Sequence, residues 1–238
     1  MAAPSPIVIS TSAELKIFLS SIRPDSTIYL AFEGKDLGRD GTLTLATMFI
    51  QPQNVTRVVD VLSLGESAFD IESDDGTSLK SILENPDIPK SVWDVRNGAD
   101  ALWAHFRVAL AGVTDVQLLE NASRPEWMDW TRLRGLSKAI LHDIKLPFVE
   151  KERWLRTKHE GRSLLMSQDI FSTRPLASDT LVYCVSDVVH LPALQKFYMQ
   201  RITPELLDWA REESQRRLAD ALSPGYEPQS PDKLYRPD

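Results

Sequence analysis

Cysteine is nearly absent: Cys184 is the single thiol in 238 residues. One thiol makes no internal disulfide and builds no cysteine-based zinc site. It suits a reducing compartment, so the expectation is an intracellular protein, cytoplasmic or nuclear. Long apolar runs are absent too. No stretch approaches the roughly 20 residues of a membrane-spanning helix, and Met1 to Ser10 has neither the basic start nor the apolar run of a secretory signal. No membrane partner is expected. Nor is there an excess of positive charge: 27 Lys and Arg stand against 34 Asp and Glu, a formal net of −7. That balance argues against coating nucleic acid by bulk electrostatics. Internal repeats and a clear linker are also missing.

What is there reads as an ordinary globular protein, 42% hydrophobic and 26% charged, long enough for a sizeable core. Ile7 to Ile9 is a short β-branched run, followed by a helix start at Ser10-Thr11-Ser12-Ala13-Glu14 with an acidic residue in the first turn. Strands are expected at 27–33, 43–50 and 57–62, close enough in sequence for an antiparallel meander. A fourth is expected at 90–95 and a fifth at 113–118. Asn97 is expected to cap a helix between those two. Helices then dominate, over 133–142, 147–160, 180–199 and 204–222. Strands interleaved with helices and then helices alone predict a single α/β domain over residues 1–222 with a mixed five-stranded sheet flanked by helices. The tail 223–238 holds four prolines and is expected to be extended or mobile.

Charge is unevenly spread. Between Arg132 and Arg162 nine Lys and Arg accompany four Asp and Glu. A basic segment on an acidic body suits the handling of an anionic ligand, and equally suits a solvated helix face.

Three elements carry carboxylates that could meet at one end of the sheet. Tyr183-Cys184-Val185-Ser186-Asp187 lies in a helical stretch, and four residues are about one turn, so phenol and carboxylate point the same way. Glu33 ends the first strand of the meander, with Ala31 on the same face. Asp100 sits near the start of the helix after the fourth strand. Hard divalent cations take oxygen ligands, often a few carboxylates with substrate phosphate. Two such ions can activate a water and stabilise the leaving oxygen of a phosphodiester.

In order and surroundings these motifs resemble the DEDD superfamily of 3′-5′ exonucleases, in the branch with a Tyr four residues before the last Asp. The first motif stands as Ala31-Phe32-Glu33-Gly34 followed by Lys35-Asp36-Leu37-Gly38-Arg39-Asp40-Gly41, the second as Asp94-Val95-Arg96-Asn97-Gly98-Ala99-Asp100-Ala101-Leu102, and Val113-Thr114-Asp115-Val116-Gln117 is similar to the next family strand. The third motif is the Tyr183–Asp187 pentapeptide. The likeness runs from about Ile7 to Tyr198. It is nearer to exonuclease 3′-5′ domain-containing protein 1 and Egalitarian-type proteins than to RNase D, and no helicase-and-RNase-D accessory domain is expected.

The resemblance implies a ribonuclease H-like fold, Mg²⁺ or Mn²⁺ as cofactor (two ions when position 31 is Asp), and single-stranded RNA as partner. DNA, a protein partner and a second copy stay open. It implies that Glu33 and Asp187 bind the first metal, that Asp100 reaches the second, and that Tyr183 orients the attacking water as a neutral phenol. For substrate it directs attention to Gly34, Leu37 and Asn97 beside the motifs, and to Arg39, Arg153 and Arg156 for phosphates, with Lys158 and Arg162 further along the basic stretch. Phe32 is expected in the core. So are Trp127 and Trp130, unless a partner surface takes them. His190 is expected at a helix surface or core edge.

One departure stands out. The family has Asp where this chain has Ala31, and that Asp bridges both metals. Its loss weakens both ion sites and removes transition-state charge stabilisation, so this chain is expected to be nearly inactive. Either the chain is a natural pseudonuclease, an RNA-binding adaptor, or Ala31 is an engineered replacement. The retention of Glu33, Asp100, Tyr183 and Asp187 favours replacement. A hydrolase of capped or modified RNA ends, or of small nucleotides, is a further alternative for the same site.

Overall fold

The computed structural model describes residues 7–165 and 169–237; the side chains of residues 162, 163 and 165 lie outside the description, and the Arg162 expectation lies with them. Six strands form one sheet: β1 Ile7–Ile9, β2 Thr27–Glu33, β3 Leu45–Gln51, β4 Val55–Asp60, β5 Lys90–Val92 and β6 Val113–Asp115. Their order is β1-β4-β3-β2-β5-β6. β2, β3 and β4 make the expected antiparallel meander, and β5 and β6 extend it in parallel beyond β2.

Eleven helices are described: α1 Ser12–Ser20, α2 Val61–Leu64, α3 Ser67–Asp70, α4 Leu79–Glu84, α5 Arg96–Phe106, α6 Val116–Ala122, α7 Leu136–Asp143, α8 Phe148–Leu165, α9 Ser178–Val188, α10 Leu191–Met199 and α11 Pro204–Leu222. Alternation along β2 divides the core. Ile28 and Leu30 face one cluster, with Leu15 of α1, Leu83 of α4 and Leu102 of α5. Tyr29 and Ala31 face another, with Leu119 of α6, Trp154 of α8 and Leu194 of α10. Both faces of the sheet are covered.

Several expectations need correction. The sheet has six strands, because Ile7–Ile9 pairs in parallel with β4. The fifth expected strand, 113–118, stops at Asp115: that carboxylate accepts the Gln117 N–H at 3.0 Å and starts α6. The stretch 57–62 ends at Asp60, which accepts the Ser63 N–H and opens α2. The helix expected over 180–199 breaks between Val188 and Leu191, where Pro192 enters the first turn of α10. Asn97 lies inside α5 and does not cap it; the residue before the helix, Val95, offers no side-chain cap. At α1 the expected start holds, as a capping box between Thr11 and Glu14.

The tail is not loose. Residues 231–234 form a 3₁₀ turn. The Arg96 guanidinium donates to the Lys233 carbonyl at 2.9 Å, the Leu133 N–H to the Leu234 carbonyl, and the Arg236 N–H to the Thr131 carbonyl. The Arg236 side chain lies over the rings of Trp209 and Trp130.

Candidate functional site

β2 and β5 run in the same direction, so their C-terminal ends open on one edge of the sheet. That is where ligands enter open α/β sheets. A cleft of about 180 Å³ opens there, with Ala31, Glu33, Trp93, Asn97, Gly98 and Asp187 on its walls. Glu33 comes from the last position of β2 and Asp187 from α9, which packs across β2 and β3. Gly34 must be glycine: a Cβ there would run into the Thr42 carbonyl, whose residue is tied back to Lys35 through two hydrogen bonds.

The loop carrying the opposite wall is held by a buried carboxylate. Asp115 accepts the N–H groups of Asp94 at 2.9 Å and Val95 at 3.1 Å, and the Arg217 guanidinium at 2.6 Å. Asp94 itself has a left-handed backbone, φ +61. Burial raises its pKa, but the two hydrogen bonds from Arg96 and the charge of Arg217 outweigh that and bring it down to about 2.

Glu33 and Asp187 line the cleft together, close enough for their carboxyls to act on each other. Burial pushes the Glu33 carboxyl well above the ordinary range, and Asp187 pushes it further; Lys158 only partly opposes this. Asp187 is raised as well, by burial, against the pull of Lys158 and Glu33. Two carboxylates side by side oppose each other's ionisation. The Lys158 Nζ lies 2.5 Å from Asp187 Oδ1 and donates to the Tyr183 carbonyl at 3.3 Å. It also sits 3.7 Å above the Tyr183 ring. Tyr183 and Asp187 thus do share a helix face, with Lys158 bridging them. Cys184, beside them, is buried and its thiol pKa is pushed well up by burial and by Glu33.

Asp100 is elsewhere, which corrects the expected carboxylate cluster. It is fully buried and accepts the Arg39 backbone N–H at 2.6 Å and the Arg39 Nε at 2.7 Å. Gly98 and Asn97 face the cleft. Asp100 is turned about 200° from Gly98 but only about 60° from Asn97; its carboxylate is taken up by Arg39 and is not on the cleft wall. Arg39 is therefore not free for phosphate: its remaining donors go to the carbonyls of Ala221, Ser223 and Pro224. Asn97 also has a structural partner set, accepting from the Tyr226 hydroxyl at 2.7 Å and from the Lys233 ammonium.

The other expected residues are placed as follows. Leu37 and Phe32 pack against the core and reach the cleft wall. Arg153 and Arg156 are exposed on α8, while Lys158 is turned inward; Arg134, in the same basic stretch, is bound to Glu120 and Asp143. Trp127 is exposed, and Trp130 donates to the Pro125 carbonyl. His190 sits at the α9–α10 junction, half-buried. Sequence reasoning missed three things: the inward turn of Lys158, the Arg39–Asp100 lock and the Asp115–Arg217 anchor. Only the first left a trace. Trp154, Lys158 and Gly161 recur at helical spacing, and a Cβ at Gly161 would collide with the Tyr183 ring.

A pair of divalent ions does not fit these side chains. Among the described residues no group of three His, Cys, Asp or Glu is placed to hold a metal ion. Three acidic residues line the cleft, Glu33, Asp94 and Asp187; Arg96 already binds Asp94 and an ammonium binds Asp187. One detail points the other way at position 31. Thr47, paired with Ala31 across the β2–β3 ladder, keeps a buried hydroxyl with no partner among the described residues. Directly paired side chains stand about 5 Å apart at Cβ, within reach of a carboxylate at 31. Among the described residues no helix is long and apolar enough to cross a membrane.

No protein-family model and no curated protein sequence matches the chain. Solved structures do. Trypanosoma brucei RNase D in complex with GMP matches with a TM-score of 0.74 at 20% identity, covering 92% of this chain and 65% of that one. The same enzyme in complex with RNA U12 gives 0.74 at 18%, covering 92% and 72%. Escherichia coli RNase D, described as an exoribonuclease involved in structured RNA processing, gives 0.61 at 21%, covering 90% and 50%. Brucella melitensis NrnC with bound Mg²⁺ gives 0.58 at 15%, covering 95% and 96%. This chain thus spans about half to two thirds of two of these proteins. Strand order, the cleft at the strand ends and these matches together show that the chain has the ribonuclease H-like fold of the RNase D-type 3′-5′ exonucleases.

Proposed function

We propose that this chain binds the 3′ end of single-stranded RNA in the Glu33–Asp187 cleft of an exonuclease fold, and that as it stands it does not hydrolyse the strand. One observation carries this reading. The cleft holds Glu33 and Asp187 with an internal ammonium on Asp187, Ala31 at the third position, Asp94 bound by Arg96 and Asp100 held by Arg39. Metal-assisted hydrolysis needs carboxylates free to hold divalent ions. Recognition of a strand end needs backbone contacts and stacking surfaces, which such a cleft and its aromatic wall supply. The RNA-bound RNase D structure, of the same fold, supports RNA over other ligands.

The test uses labelled single-stranded RNA. Fluorescence anisotropy is expected to show binding that weakens with salt, and gels with Mg²⁺ or Mn²⁺ to show no shortening of the strand. Shortening from the 3′ end by the unaltered chain would make it an active enzyme, and absence of binding would remove the RNA reading.

The unpartnered Thr47 hydroxyl favours a second reading. In it, Asp belongs at position 31, and the chain is a 3′-5′ exoribonuclease with one ligand replaced. Ala31→Asp would then restore metal-dependent cleavage. Under the first reading Ala31→Asp alone does not, because Lys158 and the withdrawn Asp100 are unchanged.

A further inference from the structure

Resting on the reading above only for the identity of the ligand, we propose that Lys158 is the resident cation of the cleft. Its ammonium takes the place of a divalent ion in holding Asp187 and Glu33 towards the nucleic acid, so that RNA is bound without divalent metal.

The placement of Lys158 is built, not incidental. Its side chain is 12% exposed and makes three separate contacts: Asp187 Oδ1 at 2.5 Å, the Tyr183 carbonyl at 3.3 Å and the Tyr183 ring face at 3.7 Å. A charge-assisted hydrogen bond, a backbone acceptor and a cation–π face together fix an ammonium far better than a surface ion pair does. The helix that carries it is held on both sides of the residue. Trp154, one turn before, is buried in the core, and Gly161, one turn after, meets the Tyr183 ring with no side chain between. That contact sets how closely α8 approaches α9, and so lets the lysine reach Asp187.

A divalent ion at the carboxylate pair would meet this charge at short range, in a cleft where burial weakens screening. Displacing the ammonium would leave a buried lysine without its carboxylate, an expensive state. Metal is excluded by occupancy of its ligand, on top of the missing ligand at position 31. Trp93, on the cleft wall, keeps a buried indole N–H with no acceptor among the described residues.

Mn²⁺ binding to the whole chain, read by the electron paramagnetic resonance of free Mn²⁺, tests this without any RNA. The unaltered chain and Lys158→Arg are expected to show no saturable site in the millimolar range. Lys158→Met, which keeps the stem of the side chain, is expected to gain at least about tenfold in Mn²⁺ affinity. Anisotropy with RNA forms the second arm. Binding to the unaltered chain is expected to change less than about twofold between EDTA and Mg²⁺, whereas Lys158→Met loses about tenfold in EDTA and recovers in Mg²⁺. A saturable Mn²⁺ site in the unaltered chain, or an unchanged Mn²⁺ affinity in Lys158→Met, overturns the proposal. Should Lys158→Met not fold, Lys158→Gln and the unaltered chain decide it. A chain that excludes Mn²⁺ but ignores RNA keeps the lysine assignment and loses the RNA reading.

Discussion

Two sets of carboxylates sit within the same end of this sheet, and they are treated in opposite ways. Asp94, Asp100 and Asp115 each meet an arginine through charge-assisted hydrogen bonds, and Asp94 is held down to about 2. Glu33 and Asp187 have one lysine between them, and both are raised. The first set is a frame: each carboxylate ties a loop or a tail to a helix, and the guanidinium satisfies several acceptors at once. The second set is under-compensated, the usual condition of groups kept for a ligand. Acidity alone does not mark a site; what each carboxylate is paired with does.

The comparison can be broken most sharply at Asp115. Asp115→Ala would take the nearest carboxylate from buried Arg217, leaving it Gln117 and the more distant Asp94, and free two loop N–H groups. A loss of about 3–5 kcal/mol is expected in urea unfolding. Asp100→Asn comes next. It weakens the hold on Arg39 and should cost about 2–3 kcal/mol while leaving Mn²⁺ binding and RNA affinity unchanged. A change in metal binding at unchanged stability would move Asp100 into the cleft.

Acid separates the sets more gently. The folded-state pKa of Asp94 lies below its unfolded value of 3.8, so its contribution is present above that pH and is lost as pH falls from about 4 to about 2. Its side chain is 29% exposed, so the loss is expected to be about 1–2 kcal/mol. Unfolding curves at pH 5 and pH 2.5 check this, and Asp94→Asn should flatten the difference. The smallest effect is expected on the surface of α8. Reversing Arg153 and Arg156 to Glu should leave stability within about 0.5 kcal/mol and lower the salt slope of RNA binding by about two. An unchanged slope would take α8 out of the RNA path.

Much of the fold was legible because its elements are locally consistent. β2 and α11 have the boundaries that their apolar patterns and flanking turn residues indicate. The meander and the helix-rich second half also follow from the order of the patterns. Where reading failed, a side chain was acting at a distance. Asp115 looked like part of a strand, yet its carboxylate ends the strand and reaches across to Arg217. Proline made the tail look loose, but its backbone is pinned by Arg39 and Arg96, and its Tyr226 hydroxyl is held by Asn97, residues far away in sequence. The directions of Glu33, Tyr183 and Asp187 were readable because strand and helix periods fix them. Asp100 was misread because no local pattern reveals the Arg39 lock that takes up its carboxylate. Lys158 was hidden inside a charge run that reads as solvated helix face.

Crystals of the unaltered chain grown with Mn²⁺ and measured at the manganese absorption edge test the central claim most directly. The account predicts no anomalous peak at Glu33 and Asp187, with the Lys158 ammonium within hydrogen-bonding distance of Asp187. A manganese peak bridging Glu33 and Asp187, with Lys158 swung out to solvent or Asp100 turned in as a ligand, would contradict it.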